Sequence, residues 1–281
     1  MALKIGNITP SKLYLGSTEI QKAYLGSNLV WDKTGGGFDA DYQAVLDYAT
    51  TQGYTLPSAS QQALQNQLVL DLKSGGIWSK LDIFYTFATD GDSDFATLNW
   101  KAPSNYQITK VNSPTFTTND GFKGDGTTSY LGVPFQTAND AVNFQADSAG
   151  FFMYVNEAPT IGVEAIGYTS ASGLRIMVRA SAANQQCNTN NSQTDPDFSG
   201  TGLRSVNKTA SQTLEMFAAT TQTSSVTTAN SAMVSEDISL LARISNNSFS
   251  NTELSVFGLG DELVSENTDL NTALNDYMTS I

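Results

Sequence analysis

The chain contains no histidine, and that absence excludes more chemistry than any single residue in it supplies. Ser-His-Asp and Cys-His nucleophilic catalysis, imidazole metal ligation and a histidine pH switch all fall away. Cysteine is reduced to Cys187, which leaves no disulfide within the chain and no thiolate metal cluster. Charge is scarce, at 15% of 281 residues, which is not the profile of a charged disordered protein. What charge there is leans acidic, 27 Asp and Glu against 14 Lys and Arg, for a net −13. Nucleic acid and anionic membrane surfaces are therefore disfavoured as partners. Long apolar runs are missing as well. Stretches such as Gly150–Val155 are strand-length and far too short to span a bilayer, and Met1–Asn7 lacks the apolar core of a secretory signal.

What remains is 40% apolar residues, 22 glycines and a large share of Ser, Thr, Asn and Gln. That mix suits a β-rich protein with an extracellular type of surface. Such a surface without an export signal is expected of a protein released by cell lysis, with non-signal export as the alternative. The length allows one large domain with appendages.

The opening segment says one thing twice, Ser11-Lys-Leu-Tyr-Leu-Gly-Ser17 and Gln21-Lys-Ala-Tyr-Leu-Gly-Ser27. Each copy reads as one short strand with period-2 alternation, closed by Gly-Ser turn chemistry. Two such strands cannot bury a core, so the repeat needs another surface to lie on. Tyr14, Leu15, Tyr24, Leu25 and Trp31 are the residues expected to make that attachment.

Thr34–Gly37 then reads as a flexible linker. Tyr42, Val45, Leu46 and Ala49 share a helical face that Gly53 would end. A second helix follows Pro57, with Ser58 and Gln61 at capping-box spacing and Leu64, Leu68, Val69 and Leu72 as its apolar stripe. These helices either pack on the following domain or help to trimerise the molecule. Beyond Trp78, short β runs separated by Gly, Asn and Pro turns predict an antiparallel sandwich or jelly roll. A terminal helix over Asn267–Thr279 is expected to lie against it, and the polar stretch from Ala180 to Thr213 reads as a long loop or pair of loops. The expected division is 1–33 repeat module, 34–80 linker and two-helix spacer, and 81–281 jelly roll with its C-terminal helix.

The run Phe122–Pro134 resembles the strand–turn–strand signature of concanavalin-A-like and laminin-G-like jelly rolls, and Ala149–Val155 resembles their next core strand. Ser255–Leu263 together with Asn271–Ile281 is similar to the way such modules finish in phage proteins. The opening repeat and the segment from Gly53 to Trp100 resemble virion structural proteins of phages and prophages of Bacteroidetes-type bacteria. Together these likenesses cover nearly the whole chain. They imply a mainly β protein anchored to a virion by its repeat, acting as a capsid spike, head fibre or tail-associated part. The expected partners are other virion proteins, capsid or tail, further copies of itself as a homotrimer, and a host-surface glycan. The expected location is the virion.

Three constellations bear on chemistry. Asp90-Gly-Asp-Ser-Asp94 has the alternating carboxylates of a Ca2+ loop, but Phe95 and Lys101 stand where a helix–loop–helix calcium motif needs Gly and Glu. The preferred reading is a turn in which Asp90, Asp92 and Asp94 bond nearby N–H groups, with a looser oxygen-ligand Ca2+ site as the alternative. Glycoside hydrolysis needs two carboxylates across one bond. Glu157 and Glu164 flank Pro159 and Gly162 in what reads as a turn, and no carboxylate cluster lies on a strand, so no enzyme is expected. A sugar site would draw on Tyr130, Tyr154 or Tyr168 with Asn190, Asn191, Asp195 and Asp197, which otherwise are sheet aromatics and a solvated loop. Carbohydrate-binding lectin or adhesin is thus the alternative function, and polysaccharide hydrolase the more distant one.

Overall fold

The computed structural model describes residues 14–15, 17–20, 22–25, 28–32, 37–160, 166–167, 173–175, 183–189, 193–195, 200–230 and 232–281. In chain order, β1 (Tyr14–Leu15), β2 (Thr18–Glu19), β3 (Lys22–Leu25) and β4 (Asn28–Asp32) come first. Then follow α1 (Ala40–Gln52), α2 (Ala59–Ser74), the one-turn α3 (Ile77–Lys80) and β5 (Leu81–Thr86). Short strands β6 (Thr109–Val111), β7 (Thr115–Thr117), β8 (Gly121–Lys123) and β9 (Tyr130–Val133) precede α4 (Thr137–Asp140) and the long β10 (Ala149–Glu157). β11 (Ile166–Gly167), β12 (Gly173–Arg175), β13 (Ala183–Thr189) and β14 (Gln193–Asp195) lead to β15 (Gly202–Lys208), β16 (Thr213–Ala218) and β17 (Thr221–Thr227). The last elements are β18 (Ile238–Leu240), β19 (Ala242–Arg243), β20 (Ser248–Phe249), β21 (Glu253–Gly260) and α5 (Asn267–Met278).

Every described strand pair is antiparallel, and the protein is mainly β. The large sheet has eight strands in the order β17-β16-β15-β10-β21-β8-β7, with β5 also on β21. One edge of β21 is shared: Glu253 and Leu254 pair with β8, and Val256 to Gly260 pair with β5. A smaller sheet, β11-β18-β9-β6, lies over one face of it.

Alternation along the strands sends side chains to two separate cores. Phe151, Met153 and Val155 of β10, Ile83 and Tyr85 of β5, and Val206 of β15 join Leu131, Val133, Ile238 and Leu240 between the sheets. Phe152, Phe84, Leu203 and Val256 point the other way and meet the helices. The middle of the large sheet is therefore buried on both faces, which explains why β10 and β21 read as nearly continuous apolar runs.

The helices form because their sequences supply both a stripe and an end. Asp39 caps α1, and Gly53 closes it at φ +76°, a conformation that glycine adopts at little cost. Ser58 accepts from the Gln61 N–H at the start of α2. The reciprocal half of the expected capping box is absent, because the Gln61 side chain turns to Thr89, Asp90 and Asn119 instead. The faces of α1, α2 and α5 pack on Phe84, Trp100 and Phe152, so the apolar surface of the helices is spent within the chain. A buried polar chain also ties them down. The Tyr42 hydroxyl donates to Gln65 Oε1 at 2.6 Å, Gln65 Nε2 donates to Thr89 and Tyr277, and the Tyr277 hydroxyl donates to the Ala88 carbonyl at 2.6 Å.

Two expectations change. Each copy of the opening repeat reads in the sequence as one short strand, and the described strands extend each into a hairpin. β1 pairs with β2 and β3 with β4, so each copy supplies the first strand of its own hairpin. Leu15 opposes Thr18 and Leu25 opposes Asn28, so the chain reverses within two residues in each hairpin. The stretch from Ala180 to Thr213 is not simply loop, since β13, β14 and β15 run through it. A strand ladder is made by backbone groups, and a sequence poor in apolar side chains carries little periodic trace of it.

Candidate functional site

The residues singled out for sugar binding fall only in part within the described residues. Tyr130 lies on β9 with its ring 6.4 Å from that of Phe249. Asp195 closes β14, while Tyr168, Asn190, Asn191 and Asp197 lie outside the described residues. Of the attachment residues, Tyr14 and Leu15 form β1, Tyr24 and Leu25 end β3, and Trp31 is in β4, where it opposes Ala23.

The acidic run is a turn. Asp90 Oδ1 accepts from the Ser58 N–H, and Asp92 accepts from the N–H groups of Thr55, Asp94 and Phe95. Asp94 pairs with Lys110 at 2.8 Å. Burial alone would raise the Asp92 carboxyl, but the Phe95 and Thr55 N–H groups outweigh it and hold it below the usual range. Among the described residues no group of three or more Cys, Asp or Glu side chains is placed to hold a metal ion. Glu157 ends β10, where its carboxylate pairs with Lys123, and Glu164 lies outside the described residues.

A different set of polar groups converges where α5 crosses the end of β10 and the start of β15. Register places Tyr154 opposite Leu203 and Val155 opposite Gly202. α5 is fixed over them at its start: Ser205 Oγ donates to Asn267 Oδ1 and Asn267 Nδ2 donates to the Ala219 carbonyl, both at 2.8 Å. Leu270, Leu274 and Tyr277 point into the core, which leaves Asn271 and Asn275, one turn apart, along the strand ends.

The result is a cleft of about 350 Å³ lined by Tyr154, Asn156, Thr201, Gly202, Asn271 and Asn275, with Val155, Leu203 and Ala219 behind them. That volume is at the small end of ligand pockets. The Tyr154 hydroxyl donates to Asn275 Oδ1 at 2.9 Å, and burial raises its pKa, so it remains a donor at neutral pH. Asn156 Nδ2 donates to Glu253 Oε2 at 3.0 Å. Asn271 Oδ1 is buried without a hydrogen-bond partner. Gly202 has φ +88° with nothing within 4 Å of where a Cβ would stand, so the backbone is bare at the cleft floor.

Such a site can orient a neutral polar ligand by amide and hydroxyl groups over a tyrosine. Among the described residues no carboxylate lines it, so they supply no acid–base pair for a paired-carboxylate hydrolysis there. A second cleft, about 260 Å³, is lined by Asp71, Asp269 and Asp276 between α2 and α5. Of the cleft's polar residues, Tyr154 was among the tyrosines that the sequence offered. Asn271 and Asn275 were legible only as an i, i+4 amide pair on the polar side of the terminal helix.

No family model matches the chain, and no curated protein matches it. Solved structures do. An HCR/D mutant superposes with a TM-score of 0.50 at 10% identity, over 70% of this chain and 52% of its own. Botulinum neurotoxin type C, which enters cells dependent upon interaction with two ganglioside molecules, gives 0.50 at 11% identity over 73% of this chain and 53% of its own. What they share is the β-sandwich. A Trypanosoma rangeli sialidase matches at TM-score 0.49 and 10% identity, over 77% of this chain and 39% of its own. The likeness thus takes in about half of each neurotoxin-type chain and shows the fold.

Proposed function

We propose that the chain is a non-enzymatic binding module whose sandwich carries a saccharide site in the cleft between β10, β15 and α5. The observation that carries this reading is the donor set: one tyrosine, one threonine and three asparagine side chains around bare backbone, with no lining carboxylate among the described residues. Hydroxyls and amides match sugar hydroxyls, and a cleft without an acid–base pair binds without cleaving. The sandwich neighbour whose cell entry depends on gangliosides supports a glycan as the class of partner but not its acidic sugar, because among the described residues no cation lines this cleft. A glycan array probed with the purified chain tests this. Retained binding without release of reducing sugar is the expected outcome, and sustained sugar release would replace the module with a hydrolase.

The N-terminal hairpins favour a second layer to this function. Two successive hairpins of two to five residues per strand are too small to be stable alone, and their repetition suits docking on a repetitive partner. Together with the resemblance to phage structural proteins, this supports display on a virion, with capsid or tail proteins and further copies of the chain, as a homotrimer, as partners. The virion would then be its location, after lysis of the host. Antibody against residues 81–281 should decorate intact particles. Particles that carry none of the chain would remove this layer and leave the glycan site standing.

A further inference from the structure

We infer that the cleft between β10, β15 and α5 selects uncharged saccharides and rejects sialylated or uronic ones, an inference that rests on reading the cleft as a saccharide site. Among the described residues no Lys or Arg lines it. A sugar carboxylate entering it would lose its hydration and gain no cation in exchange, and buried carboxylates are normally held by charge-assisted bonds. Arg204 follows the cleft residue Leu203 on β15, but alternation puts it on the opposite face of the sheet with Val206. It is 5% exposed, and its Nη1 donates to the Leu203 carbonyl at 2.8 Å. On the cleft's own side, Glu253 behind Asn156 adds a negative charge, while the Arg204 guanidinium is held at the Leu203 carbonyl. The chain's net −13 acts in the same direction.

The polar groups instead fit ligands that donate and accept at once. Asn275 uses its Oδ1 for the Tyr154 hydroxyl, which leaves its Nδ2 as the donor end. The Asn271 Oδ1 has no partner and gains one if a sugar hydroxyl or an N-acetyl N–H reaches it. The terminal torsion of an asparagine is soft, so the amide can turn its oxygen toward the cleft without disturbing α5.

The test is a printed array of neutral, sialylated and uronic glycans probed with the full chain, followed by titration of the best ligand of each class. Two variants accompany it. Thr201→Trp fills the cleft from an exposed position outside the core, and Asn271→Ala removes the amide. Neutral glycans are expected to bind, with loss of binding in Thr201→Trp and about a tenfold weakening in Asn271→Ala, the size of one hydrogen bond. Acidic glycans should bind at least about tenfold more weakly than their neutral counterparts. Equal or tighter binding of an acidic glycan that Thr201→Trp abolishes would overturn the selectivity while keeping a saccharide cleft. Neutral binding untouched by Thr201→Trp, or no binding to any glycan by a chain with an unchanged melting curve, would remove the site itself.

Discussion

Ala219 lines the cleft at φ +53°, a left-handed conformation in which an L side chain is strained. It is held there because its N–H donates to the Leu203 carbonyl and its own carbonyl accepts from Asn267. The strain costs about 1 kcal/mol, and glycine's extra freedom in the unfolded chain takes back part of any relief. Ala219→Gly is therefore expected to stabilise the protein by about 0.5 kcal/mol in urea unfolding, and a clear loss of stability would contradict the strain. Three carboxylates give a pH prediction of definite sign. The Lys73 hydrogen bond lowers the pKa of Asp41. Burial would raise Asp92 and Asp125, but backbone N–H groups, from Phe95 and Thr55 and from Ser129, Thr128 and Thr127 respectively, bring both below their ordinary value. A depressed folded-state pKa contributes stability that is present above the unfolded value, near 4, and is lost as pH falls. Stability attributable to these groups should decline progressively below pH of about 4. Asp41→Asn should flatten that acid limb, as followed by thermal melts across pH.

Among the elements, the contact between helices and sheet is the most sensitive to a single change. Gln65 is fully buried and links Tyr42, Thr89 and Tyr277. Gln65→Leu keeps the volume but strands the Tyr42 hydroxyl and removes the donor shared by Thr89 and Tyr277, and should cost about 1–3 kcal/mol in urea unfolding. Tyr277→Phe, which removes one member while retaining the ring, should cost about 1 kcal/mol. The same region shows what the sequence could reveal. The stripes of α1, α2 and α5, the Ser58 cap and the Gly53 stop were readable because each leaves a local trace in residue type and spacing. The side-chain partners of Gln61 and Gln65 were not, since they come from residues 23 to 212 positions distant in the chain. The strands with apolar alternation were legible for the same local reason, and β13 and β14 were not, being nearly devoid of apolar side chains. The cleft escaped notice because Asn271 and Asn275 look like the solvated side of a helix until α5 is laid against β10 and β15.

At the scale of the whole molecule, the acidic balance opposes compaction. A net −13 is spread over a chain with few compensating cations. Raising ionic strength from about 10 mM to about 150 mM shortens the screening length from about 30 to 8 Å. The melting temperature should therefore rise over that range, and a flat response would mean that the charges are already locally balanced. The three-layer arrangement, helices on one face of the large sheet and the smaller sheet on the other, also explains why the surface features of the chain are polar and its cores are separate. The strand that joins them, β21, is flanked by β10 on one side and by β5 and β8 on the other, and all three are synthesised long before it. During translation those strands wait with open edges, unable to close the sheet around a middle that does not yet exist. The sandwich must therefore assemble late, around Glu253–Gly260, and a ribosome that stalls before this segment releases a chain with no folded sandwich to display.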